Sequence, residues 1–170
     1  MQPRFSVLAA LTPTERLATL KRVLRAAKLV RMPDQKAERH AQNFDLIQHR
    51  GGPEAVKQEL INAPGREGKI EFMKQFAGIG KKYARNSMMD AYHPDFREGS
   101  IALDSRLQGL LKAVGKPGTG DYEDSEDFLL KVAEIAGIEA WELDRLLFNK
   151  KWKDEVLELF RASAAHIRRT

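Results

Sequence analysis

Between Met73 and Ala84 an apolar helical stretch runs into Gly78-Ile79-Gly80 and restarts at once as a basic amphipathic one. Such a break predicts a helix, a tight hairpin and a second helix, the whole spanning 70–92. Gly78 and Gly80 have access to backbone conformations closed to other residues, and without Cβ atoms they let a flat, negative partner reach the main chain. A second helix beginning at Gly80 directs free N–H groups and the positive end of its dipole at that spot, which favours phosphate. Lys81 and Lys82 add cationic charge there. Ile79, the large residue of the hairpin, is expected to plug back between the two helices, with Phe76 and Ala84 supplying the facing contacts.

The rest of the chain also reads as helix. Thr12-Pro13-Thr14-Glu15 is a capping-box signature with Pro at the first helical position. Behind it Leu17, Leu20, Val23, Leu24 and Ala27 recur at helical spacing to about Leu29. Pro33 opens a helix with Ala37, Ala41, Phe44 and Ile47 or Gln48 on its inner stripe, and Gly51-Gly52 stops it. Pro53 to Ile61 forms a short third helix, followed by a loop through Pro64, Gly65 and Gly68 to Ile70. After the hairpin pair, His93 to Gly99 reads as an irregular connection, Asp104 to Val114 as a helix, and Ser125 to Ala136 as another closed by Gly137. From Glu139 onward the pattern fits one long helix or two broken near Asn149, with Trp152, Val156, Leu159, Phe160 and Ile167 continuing an apolar stripe. Met1 to Leu11 has no clear period and reads as a surface segment. There is no strand-period stretch, internal repeat or low-complexity tract. The expected class is all-α: one compact multi-helix domain over 1–170 built around the helix-hairpin-helix, with room for two lobes and a DNA cleft between them.

Composition narrows the chemistry. The 170 residues include no cysteine, which removes disulfides, thiol catalysis, zinc-thiolate sites and iron–sulfur clusters together. His40, His49, His93 and His166 show no ligand spacing with one another or with acidic neighbours, so neither a metal nor any other cofactor is expected. No run of about eighteen apolar residues and no signal pattern at the N-terminus appear. The expectation is a protein of the cytoplasm and nucleoid, or of a nucleus, neither secreted nor membrane-bound. A net charge of +5 favours a polyanionic partner only weakly. Its distribution says more: acids gather at Asp121 to Asp127 and Glu139 to Asp144, while Lys81, Lys82, Arg85, Arg97 and Arg106 bracket the hairpin and the following Asp104. A duplex is expected against those basic residues.

The hairpin resembles the helix-hairpin-helix of the DNA glycosylase superfamily, in which a Gly-hydrophobic-Gly turn is followed downstream by a catalytic aspartate. Ser100-Ile-Ala-Leu-Asp-Ser-Arg-Leu107, within a segment 100–115, looks like that family's short apolar run into its aspartate, here Asp104. In the lyase-competent branch, typified by endonuclease III and the 8-oxoguanine glycosylases, a lysine two residues past the second hairpin glycine is the nucleophile, and Lys82 stands there. At lower specificity, about Leu29 to Leu46 and Ser125 to Asn149 look like the segment ahead of the hairpin and the late helix pair. The match departs in a longer connection from Lys82 to Asp104, in Ser105-Arg106 where Thr-His often follows, and in lacking an N-terminal helix with a polar gap-filling residue. The lack of cysteines also departs from the many endonuclease III-like proteins that carry a C-terminal cluster.

The resemblance implies a DNA glycosylase with abasic-site lyase activity in base excision repair. Its partner would be double-stranded DNA containing a damaged, most plausibly oxidised, base or an abasic site, and the protein is expected to act as a monomer. Lys82 would be the nucleophile and Asp104 the stabiliser of the sugar cation, held ionised by N–H groups at a helix start. Gly78, Ile79, Gly80, Lys81, Arg85 and Arg106 would contact the DNA. A lysine amine is almost wholly protonated near neutrality, so the nucleophile needs partial desolvation or a close cation such as Lys81 or Arg85.

Each residue has a plainer reading. Gly-Ile-Gly hairpins also serve as a DNA grip in polymerases, ligases and junction-binding proteins, Lys82 alone is a solvated or phosphate-contacting lysine, and Asp104 alone is an ordinary N-cap. The alternatives are therefore a non-catalytic helix-hairpin-helix DNA-binding protein and, more remotely, a basic helical adaptor that binds protein. Trp141 is expected in the core, Trp152 is open between core and base pocket, and Lys150-Lys151-Trp152-Lys153 reads as a solvated face. His49 is expected against a helix C-terminus.

Overall fold

The computed structural model describes residues 4–27, 31–116 and 121–148. Among them every regular element is helical: α1 Phe5–Ala9, α2 Pro13–Ala26, α3 Pro33–His49, α4 Pro53–Asn62, α5 Gly65–Lys74, α6 Lys81–Asp90, α7 Pro94–Arg97, α8 Ser105–Ala113, α9 Tyr122–Ala136 and α10 Ala140–Phe148. The class is all-α. No described helix is long and apolar enough to cross a membrane. The chain divides into two compact units, with the boundary between Gly80 and Lys81. Asn149, Lys150 to Lys153, Trp152 and His166 lie outside the described residues, as does Leu29.

In the first unit the expected capping box forms: the Thr12 hydroxyl accepts from the Glu15 N–H at 3.4 Å and the Glu15 carboxylate accepts from the Thr12 N–H at 2.9 Å. Leu8, Leu20, Ala37 and Phe44 are buried together, with Phe5, Leu17 and Leu24 packed against them. The surface-segment reading of Met1 to Leu11 is corrected here. Residues 5–9 form α1, Leu8 is buried, and the Phe5 and Phe44 rings lie 4.5 Å apart. What holds this segment is Arg16, itself buried, whose guanidinium lies over the Phe44 ring, donates to the Leu8 and Leu11 carbonyls and pairs with Asp45. A basic residue next to the cap gives no hydropathy signal of such a role. His49 sits exposed in the last turn of α3.

The expected loop from Pro64 to Ile70 is also helical. Gly68 enters α5 because a Cβ there would stand 2.7 Å from Pro64 Cδ, so the glycine serves packing against proline and does not break the helix. Lys69, 6 % exposed, folds its ammonium back to the carbonyls of Ala63 and Gly65 at the start of the same helix. Between α4 and α5 an open groove of about 740 Å³ is lined by residues including Arg50, Glu59, Glu71, Phe72 and Gln75.

The second unit is built on Ile101, Leu103, Leu107, Leu110, Leu111, Leu129, Ala133, Ala140, Leu143 and Leu147. Burying each apolar side chain of this size contributes about 1.5–3 kcal/mol, before the entropy of ordering is charged against it. The irregular connection expected at 93–99 contains one helical turn, α7, because Phe96 is completely buried and Pro94 supplies a preset first residue. α9 begins earlier than Ser125: Asp121 caps it by accepting the Asp124 N–H, and Gly137 closes it in the left-handed conformation at φ +68°. Trp141, expected in the core, is only half-buried, edge-on to the exposed Tyr92 at 6.0 Å with its indole N–H on Glu139.

Candidate active site

Residues 101–103 are buried outside any helix, and α9 and α10 each supply side-chain acceptors for their N–H groups, while the Leu103 N–H also reaches the Ile101 carbonyl at 3.1 Å. Ile101 N–H donates to Glu126 at 3.0 Å, Ala102 N–H to Asp144 at 2.9 Å and Leu103 N–H to the Tyr122 hydroxyl at 3.0 Å. Tyr122 returns its own O–H to the Ile101 carbonyl at 3.1 Å. A buried N–H without an acceptor is costly, so side chains here supply the acceptors that a helix or sheet would otherwise provide. Asp104 follows directly, its position set by this anchored run.

Asp104 is the N-cap of α8, accepting the N–H groups of Arg106 and Leu107 at 2.9 and 3.0 Å on one oxygen. Its other oxygen takes two hydrogen bonds from the Arg106 guanidinium, at 2.9 and 2.8 Å, and lies 3.8 Å from Lys82 Nζ. Burial opposes its ionisation, but Arg106 and the two backbone donors outweigh burial and hold the carboxyl below the usual carboxylate range. The expected helix-start environment is therefore present. Lys82 is 29 % exposed and Asp104 14 % at the side chain, so the pair is sheltered without being sealed.

Two aromatic rings flank the pair. The Lys82 ammonium lies 5.3 Å from the Tyr83 ring centre, and the Arg106 guanidinium lies 4.3 Å over Phe148. Tyr83 and Phe148 are both more than half exposed. Another acid, Asp144, is buried at 3 % exposure on α10. Burial pushes its carboxyl up; the Ala102 N–H, Arg145 and the Lys82 ammonium partly offset this, and the charge of Asp104 reinforces it. Asp144 is thus close enough to feel both members of the pair.

The expectation that Arg85 contacts a duplex needs correction, whereas Lys81, Arg97 and Arg106 keep exposed side chains that are each paired with an acid. Arg85 is 1 % exposed and donates from two nitrogens to Glu126, both at 2.7 Å, with its guanidinium 4.5 Å over Tyr122. It is a core ion pair and does not reach DNA. Lys81, 43 % exposed at the side chain, pairs with Glu123, and Arg97 pairs with Glu139. The physical reason is register. Lys81 and Arg85 occupy one face of α6 at a spacing of four, and Glu123 and Glu126 present matching acids at a spacing of three on α9, so the acidic run folds onto the basic one.

In the Gly78-Ile79-Gly80 stretch the two glycines differ. Gly78 has φ +86°, and a Cβ there would lie 3.0 Å from Arg39 Cδ; Gly80 has an ordinary φ and nothing within 4 Å of a Cβ built on it. The main chain beside them is fixed by Asn43, whose amide accepts from Ala77 N–H at 2.6 Å and donates to the Ala77 carbonyl at 3.1 Å. Ile79 and Phe76 are partly buried, and Ala84 is fully so. Gly78→Ala is expected to lose roughly 1–2 kcal/mol from the left-handed backbone alone, whereas Gly80→Ala should stay within about 0.5 kcal/mol of wild type. Urea unfolding of the two variants compares them directly.

The sequence reading missed Tyr122, Glu126 and Asp144. A signal was available: Glu126 falls in phase with Tyr122, Leu129 and Ala133, and Asp144 with Ala140, Leu143 and Leu147, so each acid stands on an otherwise apolar stripe. Among the described residues no group of three or more His, Asp or Glu side chains could hold a metal ion. No family model, curated protein or solved structure matches the chain.

Proposed function

We propose that this protein is a DNA glycosylase with associated abasic-site lyase activity, removing a damaged, oxidised base from duplex DNA in base excision repair. The observation that carries this reading is the approach of Lys82 Nζ to 3.8 Å from Asp104, a capping carboxylate kept ionised. Cutting a base from its sugar develops positive charge at C1′, which a fixed carboxylate stabilises and an amine can capture. The nucleotide is swung out of the stack, a step costing a few kcal/mol and cheapest at damaged pairs. Lys82, having given up a proton, uses its nitrogen lone pair to form a bond to C1′ while the bond to the base breaks, and the base departs with that electron pair and takes up a proton. The C1′–O4′ bond then breaks as O4′ takes up a proton, giving a Schiff base, and loss of a C2′ proton to solvent expels the 3′ phosphate with the electron pair of the C3′–O bond. Gly78, Ile79, Gly80 and Lys81 grip the backbone through phosphate contacts that carry no sequence information. The open space at Gly80 suits such an approach.

A second reading has its own support: both Asp104 oxygens are already engaged, as they would be in a purely structural cap of a DNA-binding protein without chemistry. Borohydride trapping on duplex containing an abasic site separates the two. A covalent adduct from wild type, lost in Lys82→Ala while DNA binding survives, is the expected result. An equal adduct from the variant moves the nucleophile elsewhere, and no adduct from wild type leaves the binding protein. Absence of any salt-dependent DNA affinity would instead point to a protein-binding adaptor.

A further inference from the structure

Of the three acceptors that hold residues 101–103, Asp144 combines burial with a place beside the reacting pair. Its Oδ1 accepts the Ala102 N–H at 2.9 Å, two residues ahead of Asp104, and it belongs to α10, a helix separate in sequence from both α6 and α8. Its side chain is 3 % exposed, so water is not at hand to replace that hydrogen bond. Leu103 on the far side of Ala102 is pinned by Tyr122, which fixes the direction in which the chain delivers Asp104.

We propose that Asp144 is a positioning residue: by holding Ala102 it sets the distance between Asp104 and Lys82, acting through the main chain and touching neither the substrate nor the reacting atoms. The assignment rests on the glycosylase and lyase reading above. A buried carboxylate is an expensive hydrogen-bond acceptor for one amide when a neutral group would serve, unless the geometry it enforces matters. Misplacement of a catalytic group by about 1 Å costs on the order of 100-fold in rate, so slack in this segment should appear in chemistry well before it appears in binding. The neighbouring Glu126 cannot be tested as cleanly, because it also pairs with Arg85.

The test compares full-length wild type, Asp144→Ala, Asp144→Asn and Tyr122→Phe. Each is assayed for the single-turnover rate of borohydride-trapped adduct on abasic-site duplex, for the Kd of the same duplex, and for thermal unfolding. Asp144→Ala is expected to lose roughly 100-fold in adduct rate with Kd unchanged. Asp144→Asn, whose amide oxygen can accept the same N–H, is expected to keep most of the rate. Equal rates for Asp144→Ala and wild type overturn the assignment, and so does Asp144→Asn falling as far as Asp144→Ala while remaining folded, since charge and not placement would then be what matters. Where Asp144→Ala does not fold, Tyr122→Phe carries the test, because it takes the phenol oxygen from the Leu103 N–H and leaves that group only the Ile101 carbonyl at 3.1 Å, loosening the same anchored run; a slower adduct at unchanged Kd supports positioning through this segment, and a wild-type rate overturns it. Wild type that forms no adduct at all overturns the enzymatic reading itself, a result distinct from any of these.

Discussion

Arg85→Met is expected to destabilise the protein by about 3–5 kcal/mol, the cost of leaving a buried partner charge uncompensated. Both Arg85 and Glu126 are 1 % exposed, and the two hydrogen bonds between them are parallel and short at 2.7 Å. Removing the guanidinium strands the Glu126 carboxylate in a site where water cannot replace it, and the same carboxylate is the acceptor for Ile101 N–H. Protonation of Glu126 would relieve the charge only by weakening that second bond. Against a total stability of about 5–15 kcal/mol for an ordinary domain, the loss is a large fraction of the margin. Glu126→Leu combined with Arg85→Met is expected to recover part of it, because two apolar groups leave no stranded charge, although Ile101 N–H then lacks its acceptor. Chemical denaturation of the two single variants and the double gives the coupling energy directly. A loss below about 1 kcal/mol in Arg85→Met, the range of an exposed pair, would contradict the buried arrangement.

The second large effect separates the structural from the chemical role of Asp104. Asn is about as good an N-cap as Asp, so Asp104→Asn is expected to change stability by only a few tenths of a kcal/mol, while Asp104→Ala loses about 1 kcal/mol. Both should lower base excision on damaged duplex by roughly 100- to 1000-fold, the range for losing a fixed group that stabilises developing charge. A normal rate in Asp104→Asn would reduce Asp104 to a cap. The pH dependence has a definite sign. Because the folded carboxyl is held below its ordinary value, the ionised cap contributes stability that is complete above the unfolded value near pH 4 and is lost as pH falls through the lower folded value. The acid limb of activity arising from this group should therefore lie below the usual carboxylate range. Arg106→Ala, which removes the strongest opposing influence to burial, should move that limb upward.

How much of this was legible beforehand depends on what each residue does. The capping box at Thr12, the left-handed close at Gly137 and the cap at Asp104 rest on local backbone chemistry, and local chemistry is written in a few adjacent letters. The helical turn around Phe96 and the first helix around Leu8 were missed because each is too short to show a period and is held by long-range burial. The charge map misled for a related reason. Sequence separates the acids of 121–127 from the bases near the hairpin, and only tertiary packing brings Glu123 and Glu126 onto Lys81 and Arg85. Lys82 and Asp104 came from a motif, but the side chains that fix the segment leading to Asp104 come from α9 and α10, where nothing nearby in sequence points to an amide partner.

The pairing of Lys81 with Glu123 has a kinetic side. If the protein acts on DNA as proposed, Lys81 must first surrender the Glu123 carboxylate to reach a phosphate, so the encounter swaps one ionic neighbour for another and gains little net attraction from this lysine. Undamaged DNA would then be sampled briefly and let go. On the proposed reading, longer residence would have to come from whatever an already weakened base pair allows, and self-neutralisation would then act as a filter on where the protein stops.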